Sequence, residues 1–168
     1  VDEGYGKSSL QLQKEKKDTA KAPLNIALEA KEYAITFAAN KKTLTRKKLF
    51  DWSQESDEQI RYYSGTATYK TTFRWKNKPN KDQQIYLNLG TVYNLATVRV
   101  NGVDCGTIWT APYRADITGA LKKGINELEI EVTNTWANAL AGADEGKAPF
   151  DGIWTNAKYR RAEKTLLP

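Results

Sequence analysis

From Thr66 to Trp75 every second residue is apolar or small: Ala67, Tyr69, Thr71, Phe73 and Trp75 share one face, with Thr68, Lys70, Thr72 and Arg74 on the other. A period of two is the geometry of a strand, whose successive side chains point to opposite sides of a sheet. The same period returns in Ile85, Leu87 and Leu89, then in Ala96, Val98 and Val100, then in Leu128, Ile130 and Val132 set against Glu127, Glu129 and Glu131. Strands with one wet and one dry face pack their dry faces together, so the pattern predicts an all-β fold, an antiparallel β-sandwich. Tyr33 to Phe37 alternates in the same way and predicts a first strand. Asn101-Gly102 between Val100 and Val103 predicts a tight hairpin, because Asn and Gly tolerate the positive φ of a type I′ turn.

Helical signals are sparse. Asp116-Ile117-Thr118 followed by a stretch ending at Gly124 predicts a short helical turn with a side-chain cap at its start. One or two such turns are expected, and no long helix. Residues 1–32 are polar and rich in Lys and Gln, with a weak helical option from Leu10 to Lys17; they are expected to be a lead-in, partly disordered, before a single sandwich domain over 33–168. Beyond Asn134 the alternation lapses into an expected loop holding Trp136, Asn138, Gly142 and Gly146, followed by a late strand over Ala157 to Arg161. Arg61, Tyr62 and Tyr63 look like an edge triplet ahead of the longest strand, with Arg61 in reach of Asp57 or Glu58.

Composition narrows the chemistry. With 168 residues the chain is long enough for one core without cross-links. The net charge of +6 is concentrated early: residues 1–50 hold eleven Lys or Arg against six Asp or Glu, and residues 51–168 hold fifteen against fourteen. The densest basic cluster is Lys41, Lys42, Arg46, Lys47 and Lys48, but no aromatic residues are interleaved to stack on bases, so it reads as a solvated connection and no nucleic acid is expected. With no histidine and Cys105 as the one cysteine, intrachain disulfides, Cys/His zinc sites and histidine-activated nucleophiles are excluded. Cys105 is expected to be a buried, inert thiol in a hairpin strand. No apolar run reaches the length of a membrane span, and no signal peptide is visible at Val1. The lack of any Met suggests a processed or excised piece of a longer product.

The motifs, in order, are IRYYSGTATYKTTF from Ile60, LNLGTV from Leu87, VRVNGVDCGTIW from Val98 and APYRADITGALKKGINELEIEVTNTWANAL from Ala111. Together they resemble the galactose-binding-like jelly-roll module of α-L-rhamnosidase-type glycoside hydrolases, and more distantly the sugar-binding domain of glycoside hydrolase family 2. The resemblance spans roughly residues 33–168. It implies a jelly roll, a non-catalytic carbohydrate-associated role, a periplasmic or extracellular setting, and two partners: an oligo- or polysaccharide and the catalytic domain of a parent hydrolase. Members of that family continue past a Leu-Leu-Pro like Leu166-Leu167-Pro168 into a closing strand and carry a catalytic core upstream, so hydrolase activity is not carried over to this chain.

No catalytic residue, cofactor or metal is assigned. Asp51, Asp57, Glu58, Asp104, Asp144, Glu145 and Asp151 are loop carboxylates that read as turn or solvent residues, and no acidic loop has a calcium spacing. A sugar site on a sandwich needs an aromatic ring beneath the pyranose with polar side chains beside it, on loops held by the sheets. Trp109, Tyr113, Arg114, Trp136, Asn138 and Trp154 are the candidates, and the competing role is packing, with Trp109, Pro112 and Tyr113 closing one end of the sandwich and Trp136 plugging the other. Two further readings stay open: a protein-interaction domain using an open sheet edge, and a free-standing glycoside hydrolase.

Overall fold

The computed structural model describes residues 10–16, 24–28, 30–77, 83–147, 150 and 154–155. Its strands are β1 (Gln11–Lys16), β2 (Leu24–Ala27), β3 (Tyr33–Phe37), β4 (Thr43–Arg46), β5 (Thr66–Trp75), β6 (Gln83–Asn88), β7 (Leu95–Val100), β8 (Val103–Ile108), β9 (Arg114–Asp116) and β10 (Gly124–Thr133). They form a four-stranded sheet in the order β2-β1-β6-β9 and a six-stranded sheet in the order β4-β3-β5-β10-β7-β8. Every described strand pairing is antiparallel.

β5 and β10 form the longest pairing, in register from Gly124 opposite Trp75 to Thr133 opposite Thr66. The register aligns their apolar faces: Ala67, Tyr69, Phe73, Leu128 and Ile130 point into the core, while Lys70, Thr72, Glu127 and Glu129 point outward. Leu12, Ile85, Leu87 and Ala115 of the smaller sheet join Ile35, Tyr69, Val98 and Val100 of the larger one in a single buried cluster. The fold is therefore an antiparallel β-sandwich whose dry faces are those marked by the two-residue period.

The hairpin behaves as its residues dictate. Asn101 and Gly102 adopt φ of 52° and 78°, and Val100 faces Val103 across the turn. Asn101 also holds the opposite end of the sheet together: its Nδ2 donates to the Ala120 carbonyl and to Oδ1 of Asn126, each at 2.8 Å. Asn126 is fully buried, and its amide donates to the carbonyls of Lys122 and Gly124. A buried amide is tolerated because its polar groups find partners. The expected helical turn after Asp116 is a hydrogen-bonded turn, in which Asp116 Oδ1 accepts from the Thr118 backbone at 2.9 Å.

Three sequence expectations are corrected. Residues 11–16 and 24–27 are strands of the four-stranded sheet, where a polar lead-in with a helical option was expected; β1 sits between β2 and β6, and Leu10 and Leu12 are core residues. Two apolar side chains separated by one residue supply the inward face, too few to stand out as a period. The stretch after Asn134 is not all loop, because Ala137–Asp144 forms helix α2. Arg61 and the two tyrosines are not a strand edge: Glu58–Arg61 is the short helix α1, Tyr62 and Tyr63 are buried, and Arg61 Nε donates to the Glu55 carbonyl at 2.8 Å. Asp57 instead pairs with Lys42, and Glu58 with Lys147 at 2.7 Å. The late strand expected over 157–161 lies outside the described residues.

α2 is docked on Tyr62 by Gly142, where an added Cβ would come within 2.9 Å of Tyr62 Cβ and 3.0 Å of the Phe150 ring. Gly142→Ala is expected to destabilise the fold by about 1–3 kcal/mol through overpacking, read as a lower denaturation midpoint with an unchanged slope.

Burial pushes the Tyr69 phenol from 10.0 up to about 12, and its hydroxyl accepts a hydrogen bond from Trp52 Nε1 at 2.6 Å. A phenol with a raised folded-state pKa binds its proton more tightly when folded. Its contribution is thus complete below pH 10 and is lost as the pH climbs toward 12, by up to about 2–3 kcal/mol. Stability measured in denaturant should fall across that window, and Tyr69→Phe should flatten the fall while costing about 1–3 kcal/mol at neutral pH for the orphaned indole N–H.

Candidate functional site

Register places most of the irregular segments at one end of the sandwich. Thr133 pairs with Thr66 and with Leu95, Phe37 pairs with Ala67, and Ala96 pairs with Ile108. The segments 38–42, 62–65, 89–94, 109–113 and 134–136 therefore all leave the six-stranded sheet, or return to it, at that end. In the smaller sheet Asn88 faces Arg114, and the Leu89 N–H donates to the Tyr113 carbonyl at 2.8 Å, so the 89–94 and 109–113 segments bridge both sheets there.

The rim they build is fastened from beneath. Tyr63 Oη donates to the Thr66 carbonyl at 2.8 Å and accepts from the Ala39 N–H at 3.2 Å. Phe37, Trp52 and Tyr63 form an edge-to-face triangle with centroids 4.9–5.7 Å apart. Asn134, buried, donates from Nδ2 to the Tyr63 carbonyl at 2.9 Å and accepts the Gly65 N–H on Oδ1 at 2.8 Å. Ser64 Oγ accepts the Ala139 N–H at 2.9 Å, tying the start of α2 to the same segment. Sequence reasoning missed Asn134 and placed Tyr63 in an edge triplet, not in this fastening. Their signal, an Asn directly after a strand and a Tyr before a Gly, is too common to single them out.

Of the candidate residues, Trp109 and Trp136 are both brought to this end, 72% and 67% exposed, where plugs at opposite ends were the competing expectation. Trp109 directly follows β8 and precedes a cis Ala111–Pro112 peptide. Trp136 precedes α2. Tyr113 is half-buried against the core, anchoring the segment that carries Trp109. The Arg114 guanidinium lies 4.3 Å from the centroid of the Tyr86 ring, a cation–π contact that commits much of its surface to the sheet. Asn138 is fully buried in α2, so it supports the rim and does not face solvent. Trp154 is 78% exposed, and residues 151–153 and 156–168 around it and Thr155 lie outside those described.

The loop carboxylates are occupied locally. Asp51 and Asp57 cap the 3-10 turn at Trp52–Gln54 and α1, accepting from the N–H groups of Ser53 and Gln59. The hydrogen bond from Lys42 holds the Asp57 carboxyl below its usual range. Asp104 accepts the Gly106 N–H at 2.7 Å. Glu145 accepts the Tyr62 hydroxyl at 2.6 Å, which raises that phenol's pKa. Asp151 lies outside the described residues. Among the described residues no group of three or more His, Cys, Asp or Glu is placed to hold a metal ion, and no helix is long and apolar enough to cross a membrane. Cys105 is half-buried where full burial was expected, and partial burial raises its thiol pKa. A separate concavity of about 500 Å³ lies away from the rim, on the outer face of the six-stranded sheet.

A sandwich with its irregular segments gathered at one end matches a known family model, glycosyl hydrolase 2 galactose-binding domain-like, over residues 38–165. This chain belongs to that family. It is 40% identical over 132 residues to a Formosa agariphila protein named "Putative beta-glucuronidase", covering 71% of this chain and 11% of that relative. The solved rhamnosidase of Novosphingobium sp. PP1Y superposes with a TM-score of 0.80 at 37% identity, over 89% of this chain and 14% of the rhamnosidase. A Ruminococcus gnavus beta-glucuronidase superposes with a TM-score of 0.52 at 18% identity, over 77% of this chain and 22% of its own, and so shares the fold. The galactose-binding-like domain thus spans a small fraction of the length of these relatives.

Three of the five tryptophans are exposed and Trp52 and Trp75 are buried, which is open to measurement. Acrylamide should quench about three-fifths of the native fluorescence readily. Trp109→Phe and Trp136→Phe should each remove accessible emission, and Trp52→Phe should not.

Proposed function

We propose that this galactose-binding-like domain is a non-catalytic, carbohydrate-associated module of a rhamnosidase-like glycoside hydrolase, working in a periplasmic or extracellular polysaccharide-degrading setting, with its loop-bearing rim as the recognition face. The observation that carries the reading is the pair of exposed indoles, Trp109 and Trp136, carried to the same end of a rigid sandwich. An exposed indole beside a fixed backbone offers a flat apolar surface to the apolar face of a pyranose. Covering about 100 Å² of it would contribute about 2.5 kcal/mol before the cost of association, which suits a weak, millimolar site completed by a few hydrogen bonds.

The chain's 11–14% share of its relatives' length favours a second reading of the same indoles, in which they are covered by the catalytic domain of the parent hydrolase. Large aromatic side chains serve as interface anchors as readily as sugar platforms. A free-standing hydrolase is not favoured, because the described loop carboxylates accept local hydrogen bonds or ion pairs.

Titrating the chain with rhamnose- and galactose-containing oligosaccharides while following Trp fluorescence separates the two. The expected result is a saturable change at millimolar sugar that weakens at least about tenfold in Trp109→Ala or Trp136→Ala. Silence toward every sugar, combined with protection of both indoles from acrylamide in the full-length hydrolase, would assign the rim to domain packing.

A further inference from the structure

We infer that the outer face of the six-stranded sheet is a second binding surface, a trough that takes a neutral, polyhydroxylated chain such as an uncharged oligosaccharide. The trough is built into the register. On one side of the β5–β10 pair, Ala34 faces Lys70 while Ala30 faces Phe73, so four steps along one strand match three along the other. Thr71 Oγ1 closes this bulge by donating to the Glu32 carbonyl at 2.6 Å. On the other side, Thr97 faces Thr107 while Arg99 faces Asp104, which places an extra residue in β8. A bulge bends its strand and sharpens the local twist. Two of them flank a central pair of uninterrupted register, beside the concavity of about 500 Å³ lined by Ala34, Thr45, Lys70, Thr72, Arg99 and Glu129 among others. That volume lies within the usual span of ligand sites, roughly 300–1,000 Å³.

The floor of the trough selects the class of ligand. Glu129 accepts from Lys70 at 2.8 Å and from Arg99 at 3.0 Å, and Arg99 also reaches Glu131 at 3.1 Å. The two cations are thereby committed to two carboxylates, while Glu32 and Glu127 add negative charge to the lining. An anionic sugar would meet an excess of like charge and no uncommitted cation in this cluster. Vicinal hydroxyls suit it better, since an ionised carboxylate has about four acceptor sites and an ammonium about three donors, leaving capacity on both beyond the ion pairs. Among the described residues the lining includes no aromatic side chain, so hydrogen bonding sets the selectivity here where indole stacking is the argument at the rim.

The inference builds on the sugar-associated reading but concerns a different face, and the two are separable by amide chemical-shift mapping of the isotope-labelled chain. Cellohexaose, mannohexaose and hexagalacturonate are the probes. At least one neutral hexasaccharide is expected to shift the amides of Ala34, Thr72, Arg99 and Glu129 saturably at millimolar concentration, with hexagalacturonate several-fold weaker. Lys70→Ala and Thr72→Ala should each weaken that response by about threefold to tenfold while leaving thermal unfolding and circular dichroism unchanged. No shift at these amides with either neutral sugar, an equal or stronger response to hexagalacturonate, or indifference to both substitutions would overturn the trough. Shifts confined to the segments around Trp109 and Trp136 would do the same and leave the rim reading standing.

Discussion

The pairing of β5 with β10 is the constraint from which the rest of this molecule follows. Each strand is ten residues long, and their register runs without interruption from Gly124 opposite Trp75 to Thr133 opposite Thr66. A slip of one residue in either strand would turn that strand's inward side chains outward, Tyr69 and Phe73 of β5 or Leu128 and Ile130 of β10, and bury Lys70 or Glu129 in their place. The alternation in both strands therefore permits a single register. β3 and β7 are added on either side of the pair, and the apolar face they share is the surface that the smaller sheet covers.

Because that pairing ends at Thr66 and Thr133, it also decides where the irregular segments gather. The backbone leaving these residues is caught at once by Asn134, Tyr63 and Ser64, whose hydrogen bonds cross from one segment to another. Loops fastened in this way hold their exposed side chains in place at little further entropic cost. Trp109 and Trp136 stand exposed at this end, while Phe37, Trp52 and Tyr63 are buried in the core with Tyr113 packed against it. The rim and the outer trough are two products of one sheet, the first where the central pair stops and the second where bulges bend the strands beside it.

Family membership and geometry agree at the level of the module. The domain resembles a small part of much longer hydrolases, and Asp51, Asp57, Glu58 and Asp104 are spent on caps, a turn and ion pairs. Among the described residues the two acids held below their usual range, Asp57 and Glu129, are each paired with a cation, Asp57 with Lys42 and Glu129 with Lys70 and Arg99.

Residue pattern alone determined the sandwich, the inward faces of β3, β5, β6, β7 and β10 and the Asn101-Gly102 hairpin, because a two-residue period and a turn with positive φ are local properties of the chain, and the ordered motifs carried the resemblance to the family; β4, within what reads as a basic connection, was left to the sheet. Tertiary structure decided what depends on distant partners. β1 carries Leu12 as its one inward apolar side chain and is a strand because β6 and β2 supply its hydrogen bonds. α2 is a run of small residues with little amphipathic pattern, and it forms where Tyr62 and Phe150 receive Gly142. Asn138, polar and therefore a plausible ligand contact by type, is buried because the helix carries it inward. The convergence of Trp109 with Trp136 and the opposing bulges at Glu32–Ala34 and Thr97–Arg99 are likewise properties of strand register, which local sequence proposes and only the assembled sheet fixes.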